Sequence, residues 1–246
     1  MPTLKLFFIA LALTCSNSGF AIVTRHDVPD AKYQELGEQF PSFASLSNGC
    51  GGTLIAPNWV LTAKHCTAAM PESFEPRALK LGLEEYVIAE LIQSDLDDIA
   101  LLRLCEDVIG VQPAELYRDK DEEGKIAVLV GRGGTGNALE GTIVDDGQLR
   151  GARNKIEWVG NVLAFKMNDP ETALDLEGVG GPGDSGGPAY LETDEGWLVA
   201  GVSSYGEWHY GDFDHYIRVS VYIEWLEATM NSSTKASTSE NCQRVD

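Results

Sequence analysis

Gly183-Asp184-Ser185-Gly186-Gly187-Pro188 sets one serine among glycines, with an aspartate directly before it. Glycine adopts backbone conformations closed to other residues, so the chain can turn tightly here and bring the N–H groups of Gly183 and Ser185 toward one point. A hydroxyl beside two converging donors is what acyl transfer needs, because the donors hold the oxyanion that forms when the hydroxyl oxygen attacks a carbonyl. Serine alone is a weak nucleophile, so the same chemistry requires a base to take its proton and an acid to orient that base. Without such partners the stretch is only a glycine-rich turn.

Both partners lie upstream. Asp98-Ile99-Ala100-Leu101-Leu102-Arg103-Leu104 puts a carboxylate at the head of an apolar strand, from which it can be buried against an imidazole. Its neighbours Asp95 and Asp97 read as solvated loop acids. Further back, Gly49-Cys50-Gly51-Gly52-Thr53-Leu54-Ile55-Ala56-Pro57-Asn58-Trp59-Val60-Leu61-Thr62-Ala63-Lys64-His65-Cys66 places a histidine directly beside a cysteine. Base, orienting acid and nucleophile thus follow in the order His65, Asp98, Ser185. Residues 183 to 187 also satisfy the G-x-S-x-G elbow of α/β-hydrolases, but that fold orders its triad Ser, acid, His on alternating strands and helices. Few residues follow Ser185, His209 and His215 among them, and the segments before it lack that alternation.

Around these segments the chain reads as all-β. Apolar runs are short, as in Thr53 to Ile55, Ile99 to Leu104, Ile126 to Val130, Trp158 to Phe165 and Trp197 to Val202, and Gly, Pro, Asn and Asp punctuate them. The acidic stretch from Pro113 to Gly124 reads as a crossing between two halves. Val221, Tyr222, Trp225, Leu226 and Met230 recur at helical spacing and predict a C-terminal amphipathic helix, followed by a Ser/Thr-rich polar tail.

Lys5, the apolar run Leu6 to Leu13 and the small residues ending at Ala21 read as a secretory signal peptide over 1–21. Export makes the protein secreted, extracellular or periplasmic, and no later stretch approaches the length of a bilayer span. A lipid-anchored Cys15 is disfavoured because Leu13-Thr14 lacks the usual small residue. A net charge of −20 argues against a nucleic-acid partner and against an anionic membrane surface, since both repel an acidic protein.

Taken together, the three segments resemble the histidine, aspartate and serine motifs of the chymotrypsin/trypsin family of serine endopeptidases. Gly131-Arg132-Gly133, Ser203-Ser204-Tyr205-Gly206 and Tyr216 to Trp225 extend the likeness over most of the mature chain, with Lys64 and Arg132 as departures. The resemblance implies two antiparallel six-stranded β-barrels with a C-terminal α-helix. Residues 22–118 would form the first barrel with His65 and Asp98, 119–220 the second with Ser185, 221–230 the helix and 231–246 the tail. It implies a protein or peptide substrate, with a protein protease inhibitor as a further partner. No cofactor is expected, and no required metal, since only 33 positions separate His65 from Asp98, which leaves less loop than vertebrate trypsins use there to bind calcium, although Glu84 and Glu85 are acids able to bind calcium weakly. A catalytically silent homologue serving as a binding module is the alternative, disfavoured by the intact triad.

The resemblance also assigns roles around the triad. Ser204 would support Asp98, and the backbone of Ser204 to Gly206 would pair with an extended substrate. Val179 would form the base of the primary pocket, where trypsins have aspartate, and Asp214 would place a carboxylate on its wall. Ile22-Val23 follows the leader directly, so signal cleavage itself would free an ammonium at Ile22 to pair with Asp184; cleavage after Arg25 would instead expose His26. A Cys50–Cys66 bridge would pin the histidine loop to its supporting strand. Cys105 and Cys242 then remain, as a second bridge or as free or intermolecular thiols. Few bridges and an export signal fit a bacterial exported member of the family.

Overall fold

The computed structural model describes residues 22–67, 77–141, 144, 146–233 and 242. The expected leader, 1–21, and most of the expected tail lie outside the described residues. The chain enters as a two-residue strand β1 (Val23–Thr24) and a helix α1 (Asp30–Gly37). Six strands follow: β2 (Phe43–Leu46), β3 (Gly51–Ala56), β4 (Trp59–Thr62), β5 (Ala78–Leu81), β6 (Glu84–Gln93) and β7 (Ala100–Leu104). They close in the order β2-β3-β4-β7-β6-β5, every pairing antiparallel, so no edge is left open.

After the crossing and its short strand β8 (Glu115–Leu116), the chain builds β9 (Ile126–Gly131), β10 (Gly136–Asn137), β11 (Arg150–Val159) and β12 (Val162–Lys166). Then come β13 (Gly178–Val179), β14 (Pro188–Thr193), β15 (Gly196–Gly206) and β16 (Phe213–Arg218). The order β14-β9-β11-β12-β16-β15 is closed by β14 pairing with β15, giving the second six-stranded antiparallel barrel. Alternation sets the inner face: along β11, Ala152, Asn154 and Ile156 are buried while Arg153 and Lys155 are exposed. One apolar cluster runs from Leu54, Leu61 and Leu102 through Val130 and Val202 to Leu226, so the barrels share a continuous core. Leu226 belongs to the final helix α2 (Ile223–Ser233), which follows a short turn at Val219–Val221. Among the described residues no helix is long and apolar enough to cross a membrane.

Residues 22–37 precede the first barrel in sequence but pack on the second. β1 lies between β10, parallel to it, and β13, antiparallel to it. Helix α1, for which the sequence pattern gives no signal, is held by Arg150 at the start of β11. That buried guanidinium forks onto Asp30 at 2.6 and 2.7 Å and onto Asp146 at 2.9 and 2.6 Å. Two carboxylates compensate one buried cation, which desolvation would otherwise disfavour. Cys50 is bonded to Cys66, and Cys105 to Cys242, which resolves the alternative of free thiols in favour of a second bridge.

Candidate active site

Register fixes the first two functional groups. Thr62 at the end of β4 pairs with Ala100 at the start of β7, so residues just beyond one strand meet residues just before the other. His65, on the single turn Lys64–Cys66 after β4, therefore meets Asp98. The His65 backbone N–H donates to Asp98 Oδ1 at 2.8 Å, and its Nδ1 lies 2.7 Å from Oδ2. Ser204 Oγ donates to the same Oδ2 at 2.5 Å. Burial alone would raise the Asp98 pKa, but the bonds from His65 and Ser204 outweigh it and hold the carboxyl below the usual carboxylate range. An ionised Asp98 accepts Nδ1–H, which leaves Nε2 as the basic nitrogen of the imidazole. The adjacent Lys64 donates to the Ser94 carbonyl at 2.6 Å, so this departure from the family pattern is absorbed by the loop.

Ser185 is seated against the histidine loop by its backbone. Its carbonyl accepts the Gly51 N–H at 2.8 Å and lies 3.5 Å from Cys66 Sγ, and that sulfur is 3.8 Å from His65 Nε2. Among the described residues Ser185 Oγ and His65 Nε2 form no direct hydrogen bond, as is common in unliganded sites of this kind. The N–H groups of Gly183 and Ser185 meet no protein acceptor among the described residues and remain available to a ligand oxygen. Gly183 and Gly186 have φ of 95° and 81°, in the left-handed region. Gly186 is required twice over, since a Cβ there would fall 2.2 Å from Thr62 Oγ1 and 2.4 Å from the Gly51 carbonyl.

Directly before the serine, Asp184 is fully buried and accepts the N–H of Gly181 at 2.9 Å and of Gly133 at 3.2 Å. Burial pushes its pKa well above the carboxylate range despite those bonds. A Cβ at Gly131 would lie 1.9 Å from its Oδ1, which supplies the physical reason for glycine at that strand end. Ile22 is buried as well, its carbonyl accepting Thr135 Oγ1 at 3.2 Å, but it carries a peptide bond here and makes no ion pair with Asp184.

Of the residues expected in the pocket, Ser204 is bonded to Asp98, while Val179, Gly206 and Asp214 come together, Asp214 meeting both Gly206 and the Gly180 that follows Val179. Val179 is buried in β13 opposite Val23. Asp214 stands across from Gly206 in the β15–β16 register, and its carboxylate accepts the N–H of Gly180 at 2.7 Å and of His215 at 2.9 Å. Side chains at Gly180 or Gly206 would collide with it, at 2.8 and 2.6 Å. Burial raises the Asp214 pKa to about 8, and among the described residues it has no cationic partner. Asp97, read from the sequence as a solvated acid, instead accepts the Tyr222 hydroxyl. Donor atoms of Cys50, His65 and Cys66 lie within 4.8 Å of one another, but the disulfide removes both thiolates that a metal would need.

The trypsin family model matches residues 32–226. The chain is 28% identical over 227 residues to CLIP domain-containing serine protease B15 of Anopheles gambiae, covering 74% of this chain and 61% of that protein. It is 27% identical over 221 residues to vitamin K-dependent protein C of Rattus norvegicus, covering 73% and 45%. It therefore spans less than two thirds of either relative's length. Two closed six-stranded barrels, a histidine and a serine on facing loops, and a family match over most of the chain lead to one assignment: this protein belongs to the trypsin family of serine proteases.

Proposed function

We propose that the mature chain is a secreted endopeptidase that cleaves peptide bonds through an acyl-enzyme formed on Ser185. The observation that carries this reading is the convergence of His65 Nδ1 and Ser204 Oγ on Asp98 Oδ2, which fixes the imidazole with Nε2 free to act as base. His65 Nε2 takes the Ser185 proton as Oγ bonds to the substrate carbonyl carbon, and the oxyanion settles on the N–H groups of Gly183 and Ser185. The imidazolium then protonates the leaving amine and the C–N bond breaks. Water, deprotonated by the same nitrogen, attacks the ester, and Ser185 leaves with its proton restored. The measurement that tests this is labelling by a serine-directed fluorophosphonate: correctly matured protein should label at Ser185, and an unlabelled, folded protein would favour a binding module.

Seating of the N-terminus belongs to the same proposal. Ile22 is buried and Val23 is paired on both sides, so a start at Ile22 keeps β1 whole, whereas a start at His26 would delete it. Arg25 is itself engaged, by Asp27 at 2.6 Å and the Leu174 carbonyl at 2.9 Å. A freed Ile22 ammonium would supply the charge that buried Asp184 lacks. N-terminal sequencing of the secreted protein is expected to begin at Ile22.

Asp214 gives the pocket a preference for basic side chains, since an Arg or Lys entering there would pair a buried carboxylate that otherwise has no cation. The preference strengthens as pH rises toward about 8, where Asp214 loses its proton. Asp214→Asn is expected to reduce selectivity for Arg or Lys over neutral residues at least about thirtyfold in peptide-library profiling, the usual order for truncating one side of a buried charge pair. Unchanged selectivity would remove Asp214 from the pocket.

A further inference from the structure

We propose that Tyr210 is a positioning residue that latches the 207–212 loop onto the N-terminal segment through His26, so that seating of residues 22–26 sets the substrate-pocket wall. The role rests on the peptidase reading above. The loop joins β15 to β16, and its two ends carry Gly206 and Asp214, the residues that face each other across that wall. No cysteine lies between Cys105 and Cys242, so noncovalent contacts alone hold it.

Those contacts divide into two sides. On the barrel side the Gly211 N–H donates to the Met167 carbonyl at 2.7 Å, and the Met167 N–H to the Asp212 carbonyl at 3.0 Å. On the other side the Tyr210 hydroxyl accepts the His26 backbone N–H at 3.3 Å and lies 2.8 Å from His26 Nδ1. One hydroxyl satisfies both, accepting from the backbone and donating to an unprotonated Nδ1. The two rings meet edge to face at 5.8 Å. Tyr210 and Trp208 also pack on a small cluster of Val23, Ala138, Met167 and Val179, the last being the expected pocket base. Val23 and His26 lie on either side of Thr24 and Arg25, so the N-terminal segment touches the pocket base through one residue and the pocket-wall loop through the other. Exposed loops held by few contacts open locally at low cost, and loss of the latch should free this loop without unfolding either barrel.

Tyr210→Phe keeps the ring and removes both hydrogen bonds, which separates the latch from simple packing. For peptide substrates it should raise KM about fivefold to tenfold, the order expected for a lost hydrogen bond, with kcat within about twofold. His26→Ala removes the side-chain half of the contact and leaves the backbone N–H in place, so it should shift KM in the same direction, and the effect of the double variant should fall short of the sum of the two, because both act on one contact. Hydrogen exchange, measured in a Ser185→Ala background where hydrolysis plays no part, should be faster at residues 22–26 and 207–212 in Tyr210→Phe and unchanged in the barrel strands. Unchanged exchange in those two segments would overturn the latch, and faster exchange with KM unmoved would overturn its positioning role. A wild-type chain without hydrolytic activity would refute the peptidase reading, while the exchange result would still decide the latch.

Discussion

Ser185→Ala is expected to lower kcat by about 10⁴-fold to 10⁶-fold, the loss typical when the nucleophile of a triad that acts as a unit is removed. KM should move little, because Oγ contributes to bond making rather than to holding the ground-state substrate. The fold should persist: Ser185 Oγ bonds no protein group among the described residues, and the contacts that seat this residue run through its carbonyl to Gly51 and through the flanking glycines. Steady-state kinetics with a peptide ester, together with thermal unfolding, checks both halves. A loss below about tenfold at unchanged stability would place the nucleophile elsewhere.

Asp184→Asn should act with opposite signs in two forms of the chain. With Ile22 freed and its ammonium on Asp184, as proposed above, the substitution breaks a buried ion pair and leaves the cation uncompensated. Activity should then fall by about 10²-fold to 4 × 10³-fold, in line with the 3–5 kcal/mol typical of such a loss. In a chain that still carries residues before Ile22, Asp184 is a buried carboxylate with no cationic partner among the described residues, and its folded pKa lies above the unfolded value. Linkage fixes the sign: between those two pKa values the folded chain binds more protons than the unfolded one, so stability falls as pH rises through that window. Asp184→Asn removes this loss and should stabilise the chain that still carries residues before Ile22 at neutral pH. Urea unfolding of both forms decides the matter. Destabilisation of both, or stabilisation of both, would mean that Ile22 does not reach Asp184.

The sequence displays its chemistry locally and its scaffolding poorly. His65, Asp98 and Ser185 each sit in a short segment whose composition reports the local backbone: a cysteine beside the histidine, an apolar strand after the aspartate, glycines around the serine. Register between β4 and β7 then does the assembly, and it is implicit in those same apolar runs. Arg150 and Asp30 are different, since each looks like an ordinary surface residue and only their meeting across 120 positions makes a buried clamp. Asp97 likewise reads as a loop acid in the sequence, because its partner Tyr222 lies 125 residues on. The short helix α1 carries little apolar periodicity of its own and exists because Arg150 and Gly151, at the start of β11, receive it: a Cβ at Gly37 would meet the Arg150 backbone at 2.7 Å. Asp214 stands between these cases, visible only by likeness to a family and given physical meaning by the two glycines pressed against its oxygens.

The bond between Cys105 and Cys242 spans 137 positions and encloses the whole second barrel with α2. A single backbone cut anywhere inside that span opens a ring rather than severing a chain. Both fragments stay on one covalent body, and the strands on either side of the nick remain close enough to re-pair. A chain cut once in its second half thus stays in one covalent piece and keeps all its mass.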